Sequence, residues 1–199
     1  MVMAEVFISA GSNVDPLRNV PEALRRLGEV VKVVAASRFY RTPAVGPAGQ
    51  PDFVNGMVKV HTGMPPRQLK FQVLRRIEWE LGRRRTVDRY APRPIDLDIA
   101  VYGDLVINEA DLKIPDPDIM TRGFLAITLR ELAPEMIIPG TGLSAAQVAA
   151  RWDDAAMEPV DAEFSRRLAE CMRRAADSAG AAGAVSADTE DDNRDTVER

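Results

Sequence analysis

The stretch VVKVVAASRFYRTPAVGPAGQPDFVNGMVKVHT, residues 30–62, decides the fold class. Val30 to Tyr40 is rich in valine and aromatic residues, which favour strands. Thr42 to Pro51 holds three prolines and two glycines and reads as a long shaped loop, a kind of segment that is often functional. Asp52 to Thr62 then sets Phe53, Asn55, Met57, Lys59 and His61 against Val54, Gly56, Val58 and Val60, an alternation that fits a strand. Two strands follow one another with no helix between them, so they are expected to pair antiparallel.

Outward from this pair the chain is symmetrical in type. On its N-terminal side Glu5 to Ala10 reads as a strand, Gly11-Ser12-Asn13 ends it, and Asp15-Pro16 opens a helix whose Leu17, Val20, Leu24 and Leu27 share a face. On the C-terminal side Pro65-Pro66 starts a helix with Leu69, Val73, Leu74, Ile77 and Leu81 together and Gly82 as its C-cap. Ile95 to Tyr102 reads as a strand, Gly103-Asp104 as a turn into a short strand at Leu105 to Ile107, and Arg122 to Leu132 as a helix stopped by Pro134. The order β-α-β-β-α-β predicts an α+β fold, a ferredoxin-like sheet with helices packed on it in α/β/α layers. Residues 1–160 are expected to form one domain, 161–176 an extra helix, and 177–199 a disordered acidic tail. No internal repeat is visible.

Composition narrows the chemistry. At 199 residues and 46% hydrophobic the chain suits one domain with a substantial core. No apolar run reaches membrane-spanning length and the N-terminus lacks a signal-peptide pattern, so the expected location is the cytoplasm. A single cysteine, Cys171, excludes an internal disulfide, and a single histidine, His61, argues against zinc and reads as structural or solvated rather than catalytic. Any metal is expected to be a hard cation held by carboxylates. The net charge of -4 comes from residues 177–199, whose seven acids and two bases leave the body near neutral, unlike a general nucleic-acid binder.

The segment RYAPRPIDLDIAVYG, residues 89–103, carries the chemical signal. On a strand Asp96 and Asp98 project from the same face, a pairing that suits Mg²⁺ with positions left for phosphate oxygens. The plain alternative is a strand with one solvated face, although aspartate is disfavoured in strands. Arg83, Arg84, Arg85, Arg89 and Arg93 crowd the residues just before the pair. Charge runs usually line a solvated surface, but cations beside paired carboxylates are also the components of Mg²⁺-dependent phosphoryl transfer. No P-loop signature is present.

GSN at 11–13, SRFYRTPAVGPAGQPDFVN at 37–55, RRIEWELGRRR at 75–85, APRPIDLDI at 91–99 and TRGFLAITLRELAPEMIIP at 121–139 together resemble the 6-hydroxymethyl-7,8-dihydropterin pyrophosphokinase family. The resemblance implies transfer of pyrophosphate from ATP to a pterin hydroxymethyl group, releasing AMP in folate biosynthesis. It implies a pterin site of Phe53 and Phe124 as flanking rings with Asn55, Thr42, Pro43 and Val45. Asp96 and Asp98 would hold two Mg²⁺ ions, with Arg83 and Arg93 as catalytic partners. Glu78, Arg85, Arg122 and Asp116 fall on the nucleotide side, and the loop from Arg83 to Pro92 would close over ATP. Partners are then a pterin and ATP, with no nucleic acid or membrane, in a monomer or weak homodimer. The chain departs from the family pattern at Pro115-Asp116-Pro117, where a histidine is usual, at Asp111, where a basic residue can serve the nucleotide, and at Tyr90-Ala91. These departures keep open a second reading, a pterin-binding paralogue with lost or altered use of the nucleotide donor.

Overall fold

The computed structural model describes residues 3–45, 49–84 and 91–185, with side chains to residue 174. Strand β1 (Ala4–Ser12) leads into helix α1 (Pro16–Gly28), followed by β2 (Lys32–Ala36), β3 (Tyr40–Thr42) and β4 (Phe53–Thr62). A helical segment comes next, formed of α2 (Pro66–Gln68), a π-helical stretch (Leu69–Leu74) and α3 (Arg75–Glu80). Then come β5 (Asp96–Tyr102), a hairpin of β6 (Ile107–Asn108) and β7 (Lys113–Ile114), a 3₁₀ turn (Pro117–Met120), and helices α4 (Gly123–Leu132) and α5 (Ala145–Ala149). β8 (Glu158–Pro159) and helix α6 (Ala162–Val185) complete the described chain.

The sheet runs β5-β1-β4-β3-β8, with β2 also on β4, and each pair is antiparallel. This is the ferredoxin-like order, with β2 and β3 together standing where one strand was expected. The break between them has a local cause. The Ser37 hydroxyl accepts the Met57 N–H at 2.9 Å, in place of a backbone carbonyl, and the chain then turns Phe39 into the core. The Phe39 ring lies on Gly56, where a Cβ would sit 2.6 Å from ring carbons.

Period-2 alternation sorts the sheet into two faces. Val6, Ile8, Val58, Leu97 and Ile99 face α1, the π-helical stretch, α3 and α6, where Leu24, Leu27, Leu74 and Phe164 are buried. Phe7 and Met57 face α4 and α5, against Leu125, Leu129 and Val148. The layers are therefore helix, sheet, helix. Of the short strand expected at Leu105 to Ile107, only Ile107 enters a strand, while Leu105 and Val106 are exposed. α6 runs to Val185, farther than the expected helix over 161–176 and into the segment 177–199 expected to be disordered, and Phe164 meets Phe39 edge-on with centroids 5.4 Å apart. Residues 186–199 lie outside the described residues.

Candidate active site

Strand register builds the site. Gly11 of β1 pairs with Asn55 of β4 on one side and Asp96 of β5 on the other, and Ser9 pairs with Met57 and Asp98 in the same way. Asp96 and Asp98 emerge on the α4 side of the sheet while Ile95, Leu97 and Ile99 are buried on the other. A cavity of about 610 Å³ opens over this row, a volume in the usual range of small-molecule sites. One part of its wall is Thr42, Pro43, Val45, Phe53, Asn55 and Phe124, and the other is Arg93, Asp96, Asp98, Asp116, Asp118 and Arg122.

On the first part, Asn55 Nδ2 donates to Thr42 Oγ1 at 2.6 Å, which fixes the amide at the cavity edge. Gly11 leaves the space that this amide fills: a Cβ would lie 2.1 Å from Asn55 Oδ1. The Trp152 indole lies on Gly123, where a Cβ would come within 3.0 Å of ring atoms, and so packs the start of α4 between cavity residues Arg122 and Phe124.

On the second part, Arg83 Nη1 donates to both Asp96 and Glu78, and Arg93 Nη1 donates to the other oxygen of Asp96. Burial works against the charge of Asp96, but the two guanidiniums outweigh it and hold the carboxyl below its ordinary value. Burial likewise opposes the charge of Arg83, and Asp96 and Glu78 together raise its pKa in spite of it. Glu78 is only 2% exposed, accepts the Leu97 N–H at 2.9 Å, and is absent from the cavity wall. The structure thus sets it behind Arg83, as a residue that fixes an arginine and the start of β5. Arg83 is also set back from the wall. Arg85 and the rest of the expected closing loop through Tyr90 lie outside the described residues.

Asp98 meets a residue that periodicity did not single out. Lys70, in the π-helical stretch, brings its Nζ to 2.9 Å from Asp98 Oδ1. Asn13 was visible only as part of a motif. Its Oδ1 accepts the Arg93 N–H at 2.7 Å and its own N–H donates to the Arg93 carbonyl at 3.1 Å, pinning that arginine's backbone.

The two aspartates that depart from the family pattern separate in space. Asp116 lines the cavity, its N–H donates to the Ala100 carbonyl at 2.8 Å, and it caps the 3₁₀ turn through the Asp118 N–H at 2.9 Å. Burial, aided by the charges of Asp98 and Asp118, pushes its carboxyl up to about 6 despite that cap. It therefore accepts a proton far more readily than an ordinary aspartate. Asp111 stands away from the cavity wall and pairs at 2.9 Å with Arg67, which it shares with Glu109. Arg122 pairs with Asp118 at 3.0 Å.

Among the described residues no three His, Cys, Asp or Glu side chains converge as a self-contained metal cage. Two carboxylates on one strand face, open to a cavity, are nevertheless a donor set that fits Mg²⁺, which takes one or two carboxylates and completes its shell with water and substrate phosphates.

The family described as 7,8-dihydro-6-hydroxymethylpterin-pyrophosphokinase (HPPK) matches residues 7–134. A 2-amino-4-hydroxy-6-hydroxymethyldihydropteridine pyrophosphokinase of Synechocystis sp. is 36% identical over 156 residues, covering 77% of this chain and 78% of that protein. The protein of the same name from Haemophilus influenzae is 35% identical over 142 residues, covering 70% of this chain and 88% of its own. A Plasmodium falciparum HPPK-DHPS crystal structure with pteroate superposes with a TM-score of 0.60 at 13% identity over 75% of this chain. This chain spans 42% of that longer protein, a likeness of fold.

Proposed function

The chain belongs to the 7,8-dihydro-6-hydroxymethylpterin-pyrophosphokinase family, and we infer that it transfers pyrophosphate from ATP to the hydroxymethyl group of 6-hydroxymethyl-7,8-dihydropterin in folate biosynthesis, releasing AMP. The observation that carries this reading is a single cavity whose wall passes from Phe53, Asn55 and Phe124 to Asp96 and Asp98. A flat heterocycle and a polyphosphate can then share one enclosure, with the acceptor hydroxyl between them.

In this reading Phe53 and Phe124 supply apolar faces to the pterin ring, with Pro43 and Val45 beside them, and Asn55, oriented by Thr42, reads its polar edge. Asp96 and Asp98 would hold Mg²⁺, two ions in the full complex. Bound there, the metal would neutralise phosphate charge and favour the ionised form of the acceptor hydroxyl. The hydroxymethyl oxygen gives up its proton to solvent water and forms a bond to the β-phosphorus, the bond from that phosphorus to the α,β-bridging oxygen breaks, and AMP leaves with the electron pair. Asp96, kept ionised by Arg83 and Arg93, is a weak base, so this wall supports charge stabilisation more than proton abstraction. Arg93 and Arg122 are the described arginines placed on the cavity wall for phosphate oxygens, and Arg85 is assigned to the same nucleotide side. We extend the reading to a cytoplasmic monomer or weak homodimer acting on small molecules, neither on nucleic acid nor on membranes; light scattering and cell fractionation test it. Among the described residues no helix is long and apolar enough to cross a membrane.

The test is AMP release from ATP and Mg²⁺, with and without the pterin. Pterin-dependent AMP is expected. Asp116 on the cavity wall favours one rival, a pterin-binding paralogue with a lost or altered donor site. Tight calorimetric binding of a non-hydrolysable ATP analogue with Mg²⁺ would reject that rival, and pterin binding without AMP would favour it.

A further inference from the structure

The two carboxylates of the site are neutralised by cations of different kinds. Asp96 is held by arginines that are themselves fixed: Arg83 is locked to buried Glu78, and the Arg93 backbone is clamped by Asn13. Asp98 is held by a lysine. The Lys70 ammonium lies 2.9 Å from Oδ1 and 3.3 Å from Oδ2, and among the described residues Asp98 is its one ion-pair partner. Lys70 rises from the π-helical stretch, a widened turn of the kind that often marks functional positions, next to buried Leu69. Its side chain is 15% exposed, whereas that of Asp98 is 44% exposed and lines the cavity. A lysine is a compact charge on a flexible stem, able to move without breaking a planar fork.

Charge balance shows what this arrangement does. Among the described residues Glu78 pairs with Arg83 behind the wall, and Asp96, Asp98, Asp116 and Asp118 lie near Arg93, Arg122 and Lys70. A divalent cation entering alone must compete with Lys70 for the oxygens of Asp98 and then sit beside a displaced ammonium. When a polyphosphate arrives with the metal, its oxygens give that ammonium a new partner. We propose that Lys70 is a resident counter-ion of Asp98, displaced by the metal and taken over by polyphosphate, so that metal and polyphosphate bind cooperatively. The proposal rests on the assignment of Asp96 and Asp98 as metal ligands.

The experiment is titration of the full chain with Mn²⁺, followed by electron paramagnetic resonance, with and without inorganic tripolyphosphate. Lys70→Met should bind Mn²⁺ alone at least about fivefold more tightly than the wild type, a factor at the lower end of typical site coupling. Lys70→Arg, which keeps the cation, should stay near wild type, and tripolyphosphate should enhance Mn²⁺ affinity less in Lys70→Met than in the wild type. Circular dichroism of each variant checks folding, and Lys70→Gln provides a second neutral side chain. Mn²⁺ binding that is lost in Asp98→Asn yet unchanged in both Lys70→Met and Lys70→Gln would overturn the role of Lys70 alone. A wild-type chain that binds no Mn²⁺ even with tripolyphosphate would overturn the metal assignment and this proposal with it.

Discussion

Asp96 and Asp98 share a face because a strand alternates, and that much is readable from five letters of sequence. Asp96→Ala or Asp98→Ala should lower turnover at least about 100-fold, while pterin affinity, measured by fluorescence titration, stays within about twofold. Near-normal turnover in either variant would remove the metal assignment. Gly11 makes a different demand. With a Cβ destined for 2.1 Å from Asn55 Oδ1, Gly11→Ala must displace that amide, and pterin affinity should fall by on the order of tenfold, the worth of one good hydrogen bond. An unchanged pterin dissociation constant would mean that Asn55 does not read the ring. The sequence pattern exposes the carboxylates and, in Arg83 and Arg93, the arginines that hold Asp96, but hides the other partners. Lys70 is 28 positions from Asp98, and Asn13 is 80 positions from Arg93, so neither pairing leaves a periodic trace. Glu78 falls on the helix's apolar face, and only the folded chain reveals the arginine that justifies a buried carboxylate there.

Apolar spacing located α1, β4, the helical segment before Gly82, β5 and α4, because each buries one face against the sheet. It missed features set by hydrogen bonding: the break at Ser37, and the π-helical stretch inside a segment whose buried residues still fit helical spacing. α1 also carries a pH signature on its outer side. Arg25 Nε donates to Glu22 at 2.9 Å and Arg26 Nε at 2.8 Å. The hydrogen bond from Arg25, joined by Arg26 against a modest burial penalty, lowers the Glu22 pKa to about 2. A depressed carboxyl pKa contributes stability that is complete above the unfolded value near 4.5 and is lost as pH falls toward 2. After allowance for solvent screening at this surface, the effect should be about 1 kcal/mol. Urea unfolding of Glu22→Gln should therefore differ from wild type by about that amount at pH 6 and converge with it near pH 2. Parallel curves across the range would show that these ion pairs add nothing.

At the scale of the molecule, α6 is part of the core although it follows the matched family region. Phe164 is 2% exposed and lies against Phe39, which in turn covers Gly56 of the central strand β4. Phe164→Ala should cost about 3–5 kcal/mol in chemical unfolding. A chain ended at residue 160 should unfold at lower denaturant still, with turnover per folded molecule retained. A loss smaller than about 1 kcal/mol would make the helix a loose appendage. The row Asp96, Gly11, Asn55 has a last consequence, for quality control of the folded state. Sliding β5 by one residue against β1 would turn both aspartates toward Leu24, Leu74 and Phe164, where unpaired carboxylates cost several kcal/mol each. Any register that spoils catalysis in this way also fails to stay folded, so the sheet proofreads its own alignment and a stable but miswired copy of the enzyme has little chance to accumulate.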